Sequence, residues 1–83
     1  MPEHVSVHLF AAARAAAEQS ELQVKPGTLA AVLHQLELIA PGLKDVLPRC
    51  SFLVDGVAAR PSDENLPLKP GSRLDVLPPF AGG

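Results

Sequence analysis

A single helical stripe of apolar residues, set among short strand-like segments, most limits how this chain can fold. The stripe has the i, i+3, i+4, i+7 spacing of one helix face and consists of Leu29, Val32, Leu33 and Leu36. Thr28 stands directly before it, where an N-cap residue is expected. Pro41 and Gly42 follow it and predict the end of the helix. The segment is therefore predicted to be the main helix of the domain.

Alternating apolar and polar residues predict strands on both sides of this helix. The predicted strands are His4–Phe10, Glu21–Val24, Ser51–Val54, Val57–Arg60 and Arg73–Leu77. Asp55-Gly56 predicts a tight hairpin between the third and the fourth of them. In the last strand, Leu74 and Val76 are expected to face the core.

The segments between the strands carry weaker signals. Ala11–Gln19 is rich in alanine and predicts a short helix that packs closely on a sheet. Lys25–Gly27 predicts a turn, and Leu43–Leu47 predicts another short turn that Pro48 closes. A polar loop over Pro61–Asn65 precedes Leu66-Pro67-Leu68, which is expected to plug the core.

The element order is strand, helix, strand, helix, hairpin, strand. The short first connection favours an antiparallel first pair of strands, although the intervening helix leaves that pairing open. The last strand is expected beside the first, in the middle of the sheet. A mixed sheet of about five strands packed on one main helix is the β-grasp arrangement, an α+β fold. We expect this domain to span residues 1–77, followed by a tail over 78–83.

Composition limits the classes of function. The chain has 83 residues, enough for one domain, and its net charge of −2 comes with scattered basic residues and no Trp or Tyr, which argues against a nucleic-acid partner. Cys50 is the one cysteine, so an intrachain disulfide is impossible and a reducing, cytoplasmic location fits best. Neither a signal peptide nor a membrane span is expected.

The end of the printed sequence predicts a chemical handle. Gly82-Gly83 is the thinnest tip that a polypeptide can form, because neither residue has a Cβ atom. Pro78 and Pro79 fix φ and hold the chain extended before it. Such a tail can enter a narrow channel and present its carboxylate to a second protein. The alternative interpretation is a frayed, glycine-rich end.

Several parts of the sequence resemble the MoaD/ThiS family of sulfur carriers. The resemblance rests on the element order and on four segments: Val7–Arg14, Asp55-Gly56, Leu68–Leu74 and Pro78–Gly83. It covers essentially the whole chain. The Pro-Pro-hydrophobic-small-Gly-Gly ending is most similar to the small subunit of molybdopterin synthase, MoaD. This family often has valine before the alanine, where this chain has Phe80.

The resemblance implies a carrier that is not catalytic alone. A partner adenylyltransferase related to ubiquitin-activating enzymes (MoeB-like) would use ATP to activate the carboxylate of Gly83, and the carrier itself would hold no cofactor. A sulfur donor, such as a cysteine desulfurase or a rhodanese, would convert it to a thiocarboxylate. The tail, with Gly82 and Ala81, would then enter a large subunit (MoaE-like) and give its sulfur to a pterin precursor of the molybdenum cofactor.

Other functions compete with this interpretation. The chain could carry sulfur for thiamine or cysteine synthesis, act as a ubiquitin-like modifier of lysines through Gly83, or be a non-covalent β-grasp interaction module. The proline pair favours the molybdenum pathway over the thiamine pathway. Formation of a thiocarboxylate would separate the carriers and the modifier from the interaction module.

The docking candidates lie at the base of the tail. Phe80, with Pro79 and Pro78, would anchor the tail in a partner's groove; alternatively Phe80 folds back over the sheet edge. Leu77, Phe10 and His8 are expected on the sheet face away from the helix, where apolar residues suggest a docking patch.

The remaining reactive side chains are expected to have structural or solvated roles. Arg14 and Arg73 are expected to be solvated surface charges. Cys50 is expected to be a small buried residue at a strand start rather than a catalytic thiol. The three histidines, His4, His8 and His34, show no metal-ligand spacing.

Overall fold

A computed structural model describes residues 3–79 and shows two layers. One layer is a five-stranded mixed sheet in the order β2-β1-β7-β4-β5, and the other is formed by helices that cover one face of it. The strands of the sheet are β1 (Val5–Leu9), β2 (Glu21–Val24), β4 (Ser51–Val54), β5 (Val57–Ala59) and β7 (Arg73–Leu77). The helices are α1 (Ala11–Ala17) and α2 (Leu29–Ile39). This is the β-grasp fold that the sequence predicts.

The strand pairing confirms the expected position of the last strand. β7 lies between β1, to which it is parallel, and β4, to which it is antiparallel. β1 and β2 form an antiparallel pair in spite of the helix between them, and β4 and β5 form the hairpin predicted at Asp55-Gly56. Both turn residues have positive φ, +49° for Asp55 and +84° for Gly56, which suits a tight two-residue hairpin turn.

The core lies between the sheet and the helices. The predicted inward residues of β1 and β7 are all buried, and α2 buries the face that carries Leu29, Val32 and Leu36. The largest fully buried side chain is that of Phe52, in the middle of the sheet layer. Alternation of period two and the helical stripe therefore predicted the strand and α2 parts of the core, although Leu33 of the stripe is only half-buried. Leu43 and Leu47, from the segment after α2, are also buried and belong to neither pattern.

The start of α2 is stabilised by hydrogen bonds from two places. The Ala31 N–H donates to Thr28 Oγ1 at 3.2 Å, which confirms the predicted N-cap. The loop before Pro67 supplies two further acceptors, because the Leu29 and Ala30 N–H groups donate to the carbonyls of Leu66 and Glu64 at 2.8 and 3.1 Å. These bonds satisfy donors that have no partner inside a helix.

The structure differs from the sequence-based prediction at two connections. The predicted turn Lys25–Gly27 runs into a short strand, β3 (Gly27–Thr28), which pairs with β6 (Pro67–Leu68) in a second, two-stranded sheet. Strands of two residues are too short to show alternation, so the sequence did not reveal them. Leu68 is nevertheless buried, as expected of a plug.

The second correction concerns the segment after α2. Two 3-10 helices, Pro41–Asp45 and Leu47–Arg49, replace the single turn, and Pro48 lies inside the second rather than closing the first. Proline is tolerated in the first turn of a helix because its missing N–H would have no partner there. In addition, α1 ends at Ala17, two residues before its predicted end, where Glu18 adopts the left-handed conformation with φ +58°.

Replacement of the central core residue gives a test of this packing. Phe52→Ala should lower the free energy of unfolding by about 3–5 kcal/mol, because the cavity lies between the sheet and the helices and cannot collapse completely. Leu53→Ala, one residue further along β4 on the half-buried opposite face, is the matched control and should cost much less. Denaturant unfolding of both variants measures the difference, and equal losses would contradict this assignment of the two faces.

Candidate functional site

The candidate site is the point where the chain leaves the sheet after β7. The last residues of this strand are held on both sides, since Val76 pairs with Leu9 on β1 and with Phe52 on β4. The Phe10 N–H donates to the Val76 carbonyl at 3.1 Å, and Leu77 stands opposite Ser51. The strand is therefore paired on both sides as far as Val76 and with β4 alone at Leu77, after which the tail begins.

Pro78 and Pro79 come directly after β7 and both are exposed. Neither has an N–H to continue the ladder, so the strand ends here. Phe80, Ala81, Gly82 and Gly83, the residues predicted to carry the chemistry and its tip, lie outside the described residues. Their roles stay predictions.

The sheet face that the helices leave uncovered, here called the open face, has a polar half and an apolar half. Paired residues of neighbouring strands share a face, so the register assigns its members. The open face comprises Glu21, Gln23, Ser6, His8, Arg73, Asp75, Leu77, Ser51, Leu53 and Ala58. The apolar members, Leu53, Leu77 and Ala58, lie on the three strands β4, β7 and β5, close to Pro78 where the tail begins. Phe10, which was predicted to share this face, is not among them, because β1 ends at Leu9 and Phe10 is the N-cap of α1, where it lines a cleft with Ala13 and Val46.

The polar half is connected by hydrogen bonds between side chains. Gln23 Nε2 donates to Ser6 Oγ at 3.2 Å and to Glu21 Oε2 at 3.0 Å. On β7, the Arg73 Nε–H donates to Asp75 Oδ1 at 2.7 Å, forming a salt bridge. Arg73 thus has a partner within its own strand, and its predicted role as a solvated charge is correct only for the exposed part of the side chain. An exposed pair of this kind adds little stability.

The other predicted polar candidates do not form a reactive cluster. His8 is half-buried on the open face, as expected, between Asp75 on β7 and Glu21 on β2. Arg14, His4 and His34 are exposed. Among residues 3–79, no three His, Cys, Asp or Glu side chains are grouped so as to hold a metal ion.

Cys50 is a buried thiol close to Pro78 and Pro79, where the tail begins. It is 8 % exposed, and its Sγ donates to the Val46 carbonyl at 3.3 Å. Burial raises the pKa of the Cys50 thiol, because desolvation disfavours the charged thiolate. A protonated thiol is a weak nucleophile, so these observations support the structural role predicted for this residue.

Two clefts meet at Pro79. A broad, open one of about 1010 Å³ is lined by Pro48, Arg49, Cys50, Ser51, Ala58, Ala59, Arg60, Pro61, Asp63 and Pro79. A smaller one of about 240 Å³ is lined by Phe10, Ala12, Ala13, Asp45, Val46, Arg49, Cys50, Pro78 and Pro79. Neither cleft could be predicted from the sequence, nor could the contribution of Val46 and Arg49, because the walls come from segments that are far apart in the chain and share no motif.

Comparisons with protein-family models and with solved structures show which known proteins this chain resembles. The model of the ThiS family matches residues 7–83. Small archaeal modifier protein 1 from Methanosarcina acetivorans is 28 % identical with a TM-score of 0.83, and the alignment covers 100 % of this chain and 99 % of that one. A chain of the complex of subunits 1 and 2 of the molybdopterin-converting factor from Helicobacter pylori is 26 % identical with a TM-score of 0.65, and the alignment covers 96 % of this chain and 99 % of that one.

A further structure supports the fold alone. A putative molybdopterin-converting factor subunit 1 from Pyrococcus furiosus is 18 % identical with a TM-score of 0.78, and the alignment covers 93 % of this chain and 98 % of that one.

Because the family model extends over nearly the whole sequence, the chain belongs to the ThiS family of β-grasp sulfur carriers. None of the helices within residues 3–79 is both long enough and apolar enough to cross a membrane.

The buried thiol makes a testable contribution to stability. The folded-state pKa of Cys50 is raised, so its contribution to stability is complete below the unfolded-state pKa and is lost as pH rises through the folded-state pKa. The loss should begin at about pH 8.5, the ordinary pKa of a thiol.

The measurement is the difference in unfolding free energy between the natural protein and Cys50→Ala, taken as a function of pH. All other titrating groups cancel in this difference. It should fall in alkaline solution, whereas two parallel stability curves would contradict the assignment of Cys50 as a buried, protonated thiol.

Proposed function

We propose that this chain is a sulfur carrier that serves as the small subunit of a molybdopterin synthase. Its Gly83 carboxylate would be adenylated, converted to a thiocarboxylate and discharged to a pterin precursor. The observation that carries the proposal is the exit of the Pro78-Pro79 stalk from the centre of the sheet, in a chain that belongs to the ThiS family. The proposal places the chain in the cytoplasm, where thiols stay reduced.

The chemistry explains why the carrier needs an activating partner. A carboxylate is a poor acyl donor because its leaving group would be oxide. Reaction of the Gly83 carboxylate with ATP releases pyrophosphate and leaves an acyl-adenylate, from which AMP departs readily. Attack by the terminal sulfur of a donor's cysteine persulfide expels AMP and gives an acyl disulfide. A second thiol then cleaves the S–S bond, which frees the thiocarboxylate and leaves a disulfide between the donor and that thiol.

The described residues support the assignment of catalysis to the partners. Cys50, the one thiol in the chain, is buried and its raised pKa keeps it protonated. The described part of the chain, residues 3–79, contains no grouped metal ligands. The catalytic side chains would therefore belong to a MoeB-like adenylyltransferase, to the sulfur donor and to a MoaE-like large subunit.

The open face supplies a surface on which a partner could hold the tail in position. Its apolar half, with Leu53, Leu77 and Ala58, adjoins the stalk, so a protein that covers it would also guide Pro78 and Pro79. Burial of apolar residues at the centre of a contact, with polar groups at the rim, is the usual arrangement of an interface. The polar half, on β1 and β2, would form part of that rim. Docking here would fix where the tip enters the partner's active site.

A second candidate function is protein modification. It is favoured by the similarity to the small archaeal modifier protein from Methanosarcina acetivorans, which has both a higher identity and a higher TM-score than the Helicobacter pylori chain. In this function a lysine amine would attack the activated Gly83 carbonyl, expel AMP and form an isopeptide bond. The two functions share the activation step and differ in the nucleophile that follows.

The length of the tip gives the first test of the proposed function. Deletion of Gly83, or addition of one alanine after it, should abolish molybdopterin formation in a reaction with the activating enzyme, a sulfur donor, the large subunit and the cyclic pterin precursor. The reacting carbonyl would no longer reach the position set by the docked domain. Thermal unfolding should be unchanged, because only the last residue differs. Full transfer activity of the shortened chain would contradict the proposal.

Replacement of an open-face residue tests docking separately from chemistry. Leu77→Asp should weaken binding to the large subunit about tenfold or more, since a buried apolar contact is replaced by a charge. Leu38→Asp is the matched control: Leu38 is 69 % exposed on α2, on the opposite side of the molecule. Titration calorimetry of both variants gives the comparison, with unfolding curves to confirm the fold. Equal binding by the two would exclude the open face as the docking surface.

A further inference from the structure

The broad cleft beside Pro79 carries positive charge that the proposed chemistry does not use. Arg49 and Arg60 line it from two separate segments, the second 3-10 helix and the residues after β5. Asp63 is the one acidic residue among the described residues that line it. The whole chain has a net charge of −2, so the cleft has the opposite sign to the protein that surrounds it.

The guanidinium groups of both arginines are available to a ligand. Arg49 and Arg60 are exposed, and within residues 3–79 neither side chain takes part in a salt bridge or a hydrogen bond. The carboxylate of Asp63 accepts from the backbone N–H of Arg60 rather than from its side chain. Asp45 lines the smaller cleft together with Arg49, but these two described side chains form no salt bridge.

Hydrogen bonds hold the backbone of both arginines in place. The Arg49 N–H donates to the Val46 carbonyl at 3.0 Å. The Arg60 N–H donates to Asp63 Oδ2 at 2.9 Å, and its carbonyl accepts from the Asp63 N–H at 2.9 Å. A side chain that starts from a fixed point loses less freedom on binding. Because the Arg60 backbone is already bonded, recognition at this end of β5 falls to side chains rather than to an added strand.

The rest of the cleft suits a segment of polypeptide. Pro48, Ala58, Pro61 and Pro79 supply apolar walls that are at least partly exposed. The volume of about 1010 Å³ is at the upper end of the roughly 300–1,000 Å³ of small-molecule pockets. The described lining includes no aromatic residue on which a nucleic-acid base could stack. These features favour an acidic peptide over a metabolite or a single-stranded nucleic acid.

We propose that this cleft is a docking site for an acidic, extended segment of a partner protein, whose carboxylates pair with Arg49 and Arg60. The planar guanidinium group matches the two oxygens of a carboxylate. Ser51 and Ala58 belong both to this cleft and to the open face, so one partner could cover the two surfaces together. That this partner is an enzyme that uses the tail rests on the proposed function, whereas the affinity for an acidic segment does not.

Nuclear magnetic resonance of the isotope-labelled, full-length chain tests the site without any enzyme. The probe is a capped hexapeptide of alternating glutamate and alanine, and the control peptide has glutamine in place of glutamate. We expect the acidic peptide to shift the backbone amide signals of Arg49, Ser51, Ala58 and Arg60 in a saturable way at low salt, and high salt to reverse these shifts. The neutral peptide should not produce them. Absence of saturable shifts at these residues would overturn the proposal.

Replacement of the two arginines tests which charges carry the binding. Arg49→Gln and Arg60→Gln should each weaken binding of the acidic peptide about two- to fivefold, as expected for exposed charge pairs, and the double variant by about tenfold. Lys25→Gln is the matched control, because it removes the same charge from the connection after β2, at the opposite edge of the sheet from β5. An equal loss in Lys25→Gln would show attraction to net charge alone and would overturn the site. Thermal unfolding of each variant confirms the fold.

Other ligands and the proposed function are separated by the same titration. Inorganic phosphate that causes the same shifts with equal affinity would show a general anion site, and tighter binding of a single-stranded oligonucleotide would show a nucleic-acid site. Either result would overturn the proposal. Loss of peptide binding in a chain that carries sulfur normally would contradict the docking site alone. Failure of the chain to accept sulfur at Gly83 would contradict the proposed function and leave the peptide result valid.

Discussion

The placement of β7 between β1 and β4 is the constraint on which the rest of this molecule depends. The final strand of the chain forms hydrogen bonds on both sides, with a parallel neighbour from the start of the sequence and an antiparallel neighbour from its second half. This pairing joins the β1–β2 pair to the β4–β5 hairpin in one sheet and buries Leu74 and Val76 against the helices. It also brings strands from the two ends of the described chain side by side. β7 is therefore held at the centre of the sheet rather than at an edge.

The same pairing defines the direction of the tail. Because Val76 is bonded on both sides and Leu77 is still in register with Ser51, Pro78 starts from a fixed point. The two prolines end the ladder, and they restrict their own φ angles and the residue that precedes each of them. In the proposed function, a partner that recognises the domain would find the start of the tail, Pro78, at a fixed position. The proposed function assigns that recognition to the open face, which lies on the same strands.

Much of this structure could be predicted from the sequence because its signals are local. The alternation in β1 and β7, the stripe on α2, the Thr28 cap and the Asp55-Gly56 turn each depend on neighbouring residues, and each was confirmed. The short strands β3 and β6 could not be predicted, since two residues do not make a pattern and their pairing joins segments some forty positions apart.

Some features of the candidate site could likewise be predicted from the sequence, and others could not. The proline pair, Pro78 and Pro79, can be identified directly in the sequence as the point where the strand ends. The position of Leu77 on the open face can be predicted from the alternation of side chains along β7. The clefts at Pro79 could not be foreseen, because Phe10, Val46, Cys50 and Pro78 meet only after the sheet has formed. Recognition of the family came from the whole arrangement, whereas the pathway depends on which partner accepts the tail, and that information lies in the partner's surface as much as in this chain.

The most direct test of the central claim is the intact mass of this chain after incubation with a cognate adenylyltransferase, ATP and a sulfur donor, measured again after the large subunit and the cyclic pterin precursor are added. The account predicts that one oxygen at Gly83 is replaced by sulfur and that this sulfur is lost as molybdopterin appears. Sulfur that is loaded but never passed to the pterin would contradict the molybdenum assignment and favour thiamine or cysteine synthesis. An isopeptide adduct in place of discharge would favour the modifier. A chain that no cognate activating enzyme can load would contradict the account altogether.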